Sequence, residues 1–380
     1  MIRFFKTSIL LFFMALVACA PSNKSDKKDD STQLDAVKVQ YARGFSIQHF
    51  DAYTKMVVRN PWDTTKVLET YLLVPREKDV PADLPEGMVV KVPVERVGLC
   101  SSIFAGEYEQ LGAMDKIVAV SEPQYFDFPV VKEGLKSGKI TDLGVTATLN
   151  TEKVLSSKLD ILVLSPFEVS VNDRFKQNGI VVVKDASYME ESPLGRAEWI
   201  LFEAAFLDKI EEAQVLFDGV AKRYNDLVKL IPVDKKRPTV FADKKYADSW
   251  YTAGANSYMG RFYKDACADY VFSDLKNAGS VPLNFEKVFQ RAYKADFWLF
   301  KYNDTQADMT LKMLGKEYEL YKNFEAYKKQ QVFAVNSGTT AYYEEGPLEP
   351  DVVLADLIAI FHPDLLPNHQ PKYYKRLNRE

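Results

Sequence analysis

Two copies of one short string carry the sharpest chemical signal in the sequence. Leu149-Asn150-Thr151-Glu152-Lys153-Val154 and Leu283-Asn284-Phe285-Glu286-Lys287-Val288 share the pattern Leu-Asn-x-Glu-Lys-Val. Asn caps a helix by accepting a backbone N–H, and a Glu two residues later falls in the first turn, where the helix dipole favours negative charge. Two such carboxylates on a wide surface, Glu152 and Glu286, could steer and register a partner carrying two basic clusters. The alternative is ordinary helix-start chemistry. A second set of residues suits recognition of a bulky, partly polar molecule: Tyr125, Phe126, Phe167 and Tyr188, then Trp250, Tyr251, Asn256, Tyr258, Tyr342, Tyr343 and Glu344, with Arg196 as a cation. Aromatic rings combine a large apolar area with a polar tip, and each of these is equally open to a core or rim position. Catalytic chemistry is poorly supplied. His49, His362 and His369 have no metal-ligand spacing with Cys or carboxylates. There is neither a phosphate-binding Gly-rich loop nor a Gly-x-Ser-x-Gly elbow. Cys100-Ser101-Ser102 has no His placed as a base, and Tyr342-Tyr343-Glu344-Glu345-Gly346 reads as a loop rather than an acid pair. No catalytic residue, directly bound metal or cofactor is expected. A hydrolase or other processing enzyme would need a nucleophile and base that the sequence does not pair.

The repeated string must be positioned by repeated structure. Each copy opens a helix that leads to a strand, Asp160–Leu164 in one case and Asp296–Phe300 in the other. Around the first copy, short apolar runs at Arg96–Cys100, Lys116–Val120, Ile161–Leu164 and Ile180–Val183 alternate with helical stretches, of which Ile103–Leu111 ends at Gly112. Around the second, Thr239–Ala242, Tyr270–Phe272, Phe297–Phe300 and Val332–Val335 are strands, Ser257–Ala268 is a helix, and Asp351–Phe361 is an amphipathic closing helix. Continuous short apolar runs suit strands covered on both faces of a parallel sheet, and their alternation with helices implies an α/β fold. Between the halves, Ser192-Pro193 starts a helical region whose apolar residues recur every three or four positions from Trp199 to Ile231, with a break at Leu207-Asp208 and a stop at Pro232. Its second piece would span roughly 34 Å. The expected plan is two α/β lobes, residues 93–208 and 233–380, joined by one long helix at 209–232. Ahead of them, residues 37–92 form a β-rich extension in which Ala52–Val58 and Lys66–Val74 flank a turn at Asn60-Pro61-Trp62-Asp63.

The N-terminus reads as an export signal. Arg3 and Lys6 precede an apolar run, Ile9–Ala18, that is too short to span a bilayer. Leu16-Val17-Ala18-Cys19 resembles a bacterial lipobox, which implies acylation of Cys19 after removal of residues 1–18. Residues 19–36 are polar, charged and free of aromatics, and read as a tether that cannot fold alone. Of the 380 residues, 47% are hydrophobic and 27% charged, a globular profile whose length favours about two domains. A net charge of -4 lacks the basic excess of a nucleic-acid binder. Cys100 and Cys267 lie in different lobes and are expected to be buried thiols.

Taken together, the lipobox, the two lobes, the bridging helix and the paired Asn-x-Glu strings resemble the helix-bridged class of substrate-binding lipoproteins of ABC importers, the ferric-siderophore and cobalamin binders. The resemblance covers the whole mature chain. It implies two Rossmann-like α/β lobes and capture of a metal chelate (ferric siderophore, ferric citrate or haem) or a corrinoid between them. Delivery would be to an ABC permease and its ATPase, with no enzymatic step. It assigns Glu152 and Glu286 to permease docking. It also aligns Trp250-Tyr251-Thr252-Ala253-Gly254 with a family stretch that carries a ligand-facing aromatic. The implied binding set is Tyr125, Phe167, Tyr188, Arg196, Trp250, Tyr251, Tyr258, Tyr342 and Tyr343. The implied setting is the bacterial cell envelope, outside the cytoplasm, as a lipid-anchored monomer. A surface receptor without a permease would use the same fold.

Overall fold

The computed structural model describes residues 33–167 and 173–380. The signal segment, Cys19 and residues 20–32 lie outside the described residues. The chain opens with a sheet ordered β1-β2-β3-β4-β5: β1 (Gln33–Ala36), β2 (Phe45–Phe50), β3 (Thr54–Arg59), β4 (Val67–Pro75) and β5 (Met88–Val92). The first four pair antiparallel and β4 pairs β5 in parallel. Alternation places Phe45, Ile47, Met56 and Val58 inward, as a period of two requires. In β4 the run Tyr71–Val74 is buried on both faces: Tyr71 and Leu73 join the main core, whereas Leu72 and Val74 pack with Tyr53 in a small second cluster. The Asn60 turn forms as its sequence predicts, the Asn60 side chain accepting the Trp62 N–H at 2.9 Å. One expectation needs correcting. Gln33–Ala36, read as tether, is a strand paired with Gln48–Phe50. A partner strand supplies the backbone hydrogen bonds that a solitary polar segment cannot make.

The first lobe runs β6 (Val97–Leu99), α1 (Ser102–Gln110), β7 (Ile117–Val120), α2 (Pro129–Ser137), β8 (Thr141–Asp142), α3 (Thr151–Ser156), β9 (Ile161–Leu164), α4 (Asp173–Gln177), β10 (Val181–Lys184), α5 (Pro193–Ala197) and α6 (Ile200–Phe206). All strand pairs in its sheet, β10-β9-β6-β7-β8, are parallel. Every residue of β9 is buried, which explains its unbroken apolar sequence. The helical stripe breaks where the sequence indicates: Asp208 takes a left-handed φ of 56° between α6 and α7 (Ile210–Leu230). With 21 residues, α7 is about 32 Å long. It packs against α6 on one side and α13 of the second lobe on the other.

The second lobe comprises β11 (Thr239–Ala242), β12 (Lys245–Tyr246), β13 (Ser249–Ala253), α8 (Tyr258–Asp265), β14 (Asp269–Tyr270), β15 (Ser280–Leu283), α9 (Phe285–Ala292), β16 (Phe297–Tyr302), α10 (Leu311–Glu317), α11 (Glu325–Lys328), β17 (Val332–Asn336), α12 (Tyr342–Glu345), α13 (Pro350–Phe361) and β18 (Lys375–Arg376). Its main sheet is ordered β14-β11-β16-β17-β18, and β12-β13-β15 form a separate antiparallel sheet. Counting the principal strands of each lobe in chain order, both sheets read fourth-third-first-second: β10-β9-β6-β7 and β17-β16-β11-β14. The two lobes therefore share a winding as well as a string. α13 differs from expectation. It is buried on most sides rather than amphipathic, with Val353, Leu354, Leu357, Ile358, Ile360 and Phe361 in the core. One continuous core runs through the extension and both lobes.

Candidate functional site

Both principal sheets deliver loops from the carboxyl ends of their strands to a shared cleft of about 1030 Å³. From the first lobe come Cys100–Ile103 after β6, then Ser121, Glu122, Gln124–Asp127 after β7, and Lys132. From the second come Tyr246 of β12, Lys301 and Tyr302 at the end of β16 with Asn303 and Thr305 after it, and Ser337, Gly338, Thr340, Ala341, Tyr343 and Glu344 after β17. This is where open α/β sheets bind ligands, and the volume is at the upper end of the usual range for a small-molecule site.

The walls are held from behind by buried and half-buried polar bonds. Thr146 Oγ1 lies 2.6 Å from Ser121 Oγ and 2.8 Å from Glu122 Oε2, tying the β7 loop down. In the second lobe the Asn336 amide accepts the N–H groups of Asp304 at 3.1 Å and Gly338 at 3.0 Å, and donates to Asp308 Oδ1 at 3.1 Å. Gly338 is required there, because a Cβ would sit 2.6 Å from the Asp304 carbonyl. At the floor the lobes touch: Ser102 Oγ donates to Glu344 Oε1 at 2.8 Å. Burial raises the Glu344 carboxyl above its usual range, and the Ser102 bond opposes that rise. Lys132 pairs with Asp127, whereas Lys301 makes no ion pair among the described residues and lies 5.8 Å from the Tyr342 ring centre. The exposed faces of Tyr125, Tyr246 and Tyr343 add aromatic area. The lining offers hydroxyls, carboxylates, amides and the Lys301 ammonium. It includes no histidine, and the hydroxyls of Ser102, Ser121 and Ser337 are already held in hydrogen bonds.

The predicted residues divide. Tyr125 (61% exposed), Phe126, Tyr343 and Glu344 line the cleft. Tyr342 lies just behind the lining, buried, edge-on to Tyr343. Arg196 stacks its guanidinium 5.1 Å over the Tyr258 ring, so these two meet each other at the lobe junction rather than the cleft. Phe167 and Tyr188 pair edge-to-face, and Phe167 also meets Trp62 of the extension; none of the three lines the cleft. Trp250 is 0% exposed and packs among Phe241, Trp298, Tyr321 and Phe324, its Nε1 donating to the Ala242 carbonyl. It is a core residue because β13 turns it inward, and the same alternation leaves Tyr251 exposed and outside the cleft lining. Asn256 borders a second groove of about 470 Å³ beside α7, which Tyr41, Glu190, Asn225 and Asp265 also line. Sequence reasoning missed Lys301, Tyr302, Asn303 and Ser337. Their signal was positional, since each follows directly on, or ends, an apolar strand.

Both strings adopt the predicted caps. Asn150 Oδ1 accepts the Lys153 N–H at 3.0 Å and Asn284 Oδ1 accepts that of Lys287 at 2.9 Å. Glu152 (side chain 77% exposed) and Glu286 project to solvent from the first turns of α3 and α9. Glu152 approaches Arg174 at 3.7 Å. Next to Glu286, Phe285, Phe289, Tyr293 and Leu320 line a shallow apolar groove. Cys100 is buried and Cys267 partly so. Among the described residues no helix is long and apolar enough to cross a membrane.

Comparison with known proteins agrees with this geometry. An uncharacterized lipoprotein of Methanocaldococcus jannaschii, MJ0878, is 27% identical over 94% of this chain and 90% of its own length. The crystal structure of the TroA-like periplasmic binding protein FepB from Veillonella parvula superposes with a TM-score of 0.58 at 17% identity, covering 76% of this chain and 96% of that one. The periplasmic heme binding protein HutB of Vibrio cholerae superposes with a TM-score of 0.54 at 18% identity, covering 68% and 98%. The profile of the periplasmic binding protein family, whose members bind solutes rather than transform them, matches residues 105–338, so the chain belongs to that family.

Proposed function

We propose that this protein is an extracytoplasmic lipoprotein, anchored through Cys19, that captures an iron chelate or a corrinoid between its lobes and delivers it to an ABC permease driven by its ATPase. The observation that carries this reading is the cleft itself. It is large, lies at the carboxyl ends of both sheets, and is walled by loops held rigid from behind. The Tyr125, Tyr246 and Tyr343 rings suit the flat or bulky organic part of a chelate, and Lys301 offers a cation to an acidic one. An iron-containing ligand is favoured by the likeness to a heme binding protein. The anchor is favoured by a relative that is named a lipoprotein.

The test is direct. Mass spectrometry and visible absorbance of protein purified from its native host should reveal a bound chromophore. A thermal-shift screen over ferric siderophore, ferric citrate, haem and cobalamin should stabilise the protein by about 2.7 kcal/mol at one hundred times the dissociation constant. Absence of a bound ligand together with no shift from any of the four classes would refute the reading. Docking is tested separately. Glu152→Lys with Glu286→Lys should abolish uptake while leaving ligand affinity intact, and unchanged uptake would remove both residues from that role.

A further inference from the structure

Three carboxylates outside the cleft lie sealed in the first lobe. Glu107 comes from the middle of α1, Asp185 from the residue after β10, and Glu203 from α6. Their exposures are 5%, 0% and 0%, and one oxygen of each falls within 4.8 Å of those of the other two. Each also has a buried oxygen with no hydrogen-bond partner: Glu107 Oε2, Asp185 Oδ2 and Glu203 Oε1. The second oxygens of two of them are placed by donors. Ser187 N–H holds Asp185 Oδ1 at 2.7 Å, and the Tyr108 hydroxyl holds Glu203 Oε2 at 3.0 Å.

Charge makes this arrangement costly as it stands. Arg196 is a cation that acts on Glu107 and Asp185; its guanidinium lies 5.1 Å over the Tyr258 ring, its Nε is buried without a hydrogen-bond partner, and among the described residues it makes no ion pair. Three ionised carboxylates against one guanidinium would leave two buried negative charges, which a low-dielectric interior does not tolerate unpaired, so either protons or a cation must take them up. We propose that Glu107, Asp185 and Glu203 bind one hard divalent cation of the magnesium, manganese or calcium class. A single such ion neutralises the surplus. Carboxylate oxygens placed about 2.0–2.6 Å from a common centre lie at most roughly 5 Å apart, which matches the observed spread. An all-oxygen donor set selects these ions over zinc or copper. In the ion-free protein, burial first and mutual repulsion second push the Glu107 and Glu203 carboxyls up, and burial does the same to Asp185.

The position gives the ion a task. α1 begins in the cleft at Ser102 and meets the second lobe where Gly106 lies against the Glu344 carbonyl. A cation that ties α1 to α6 and to the end of β10 stiffens the helix on which the lobes close.

The test uses the full chain and the ions alone, without any cleft ligand, so it is independent of the transport reading. Elemental analysis of protein purified without chelator should find about one equivalent of a divalent cation per chain. After chelator treatment, added Mg²⁺, Mn²⁺ or Ca²⁺ should raise the melting temperature. Asp185→Asn with Glu203→Gln keeps side-chain size and should lose both the equivalent and the shift. Affinity should fall by more than the roughly 10–100-fold that loss of an outer-shell partner costs. An ion retained by that variant would overturn the proposal, because it would lie elsewhere. A metal-free wild-type protein whose melting none of the three ions alters would also overturn it, leaving protons as the occupants. The wild-type arms decide the matter if the variant does not fold.

Discussion

Removing the Glu198 carboxylate should loosen the N-terminal extension from the rest of the molecule. Glu198 is fully buried, and its two oxygens accept three consecutive backbone N–H groups, from Gln40 at 2.7 Å and from Tyr41 and Ala42 at 2.6 Å. Glu190 continues the clamp one step along, its Oε1 accepting Arg43 and Gly44 N–H and the Trp199 indole. Gly44 permits that approach, since a Cβ would lie 2.5 Å from the Trp199 ring. A hydrogen bond to a charged group contributes about 1.5–3 kcal/mol. Three to one carboxylate would then total at most about 9, but bonds that share an acceptor do not add. Burial raises the Glu198 carboxyl against the pull of those three N–H groups, and so offsets part of the gain. The net loss for Glu198→Ala is therefore about 3–5 kcal/mol, what remains of three charge-assisted bonds sharing one acceptor after the cost of burying the carboxylate. For a chain of this size that is a fall in melting temperature of about 6–20 °C. Glu198→Gln keeps the shape but turns an amide toward the donors, and should lose about half as much. Calorimetry gives the stability, and hydrogen exchange at residues 40–42 gives its location. A Glu198→Ala protein that melts within about 2 °C of wild type, with those amides equally protected, would refute the argument.

Four further outcomes are expected. Gly106→Ala would place a Cβ 2.1 Å from the Glu344 carbonyl oxygen; it should cost about 1–3 kcal/mol or more and weaken ligand binding by forcing the lobes apart. Gly219→Ala in the middle of α7 meets only the tip of Arg223 and should be neutral or stabilising by up to about 1 kcal/mol in the same melts. His362 is buried against the Cys267 carbonyl, and burial lowers its folded pKa. The unfolded chain then binds the extra proton, so the His362 contribution is present above about pH 6.5 and is lost as pH falls through that value toward the folded pKa. Urea unfolding between pH 5 and 8 should show that slope flattened in His362→Gln. Trp250→Ala should destabilise the second lobe by about 3–5 kcal/mol while ligand affinity stays unchanged, and calorimetric titration of the folded fraction would detect any direct contact.

The elements are more legible in the sequence than the site is. Strand runs such as Ile161–Leu164 and Val332–Val335 stand out because parallel strands are covered on both faces and need no alternation. The Asn caps stand out because their chemistry is local. Helix α2 escapes notice, and so do the two-residue strands β8 and β18, because a strand pairing that short leaves no pattern to read. The cleft is harder because composition does not tell a ring that lines a cavity from one that fills a core. Tyr125 and Trp250 both follow the rule of an aromatic near a strand end, yet one is exposed and the other wholly enclosed. What separates them is sheet membership: Trp250 belongs to the small antiparallel sheet, whose register with Leu283 turns it inward. The acidic trio is invisible for a related reason. Glu107 and Glu203 sit in helices where a Glu is usually solvated, and only tertiary packing reveals them as enclosed.

The way each sheet ends bears on how copies of this protein would behave when crowded. An open strand edge invites pairing with a neighbouring chain. In the first lobe one outer strand, β8, has two residues, and the other, β10, is flanked by the extension, where the Tyr71 hydroxyl accepts the Lys184 N–H and donates to the Val182 carbonyl. In the second lobe the outer strands β14 and β18 also have two residues each, and β18 consists of exposed Lys375 and Arg376. Neither principal sheet offers a neighbour a long bare ladder to extend. Close lateral packing of many molecules on one surface would therefore not seed strand exchange between them, and the extension contributes to that resistance by occupying the one principal-sheet edge that exceeds two residues.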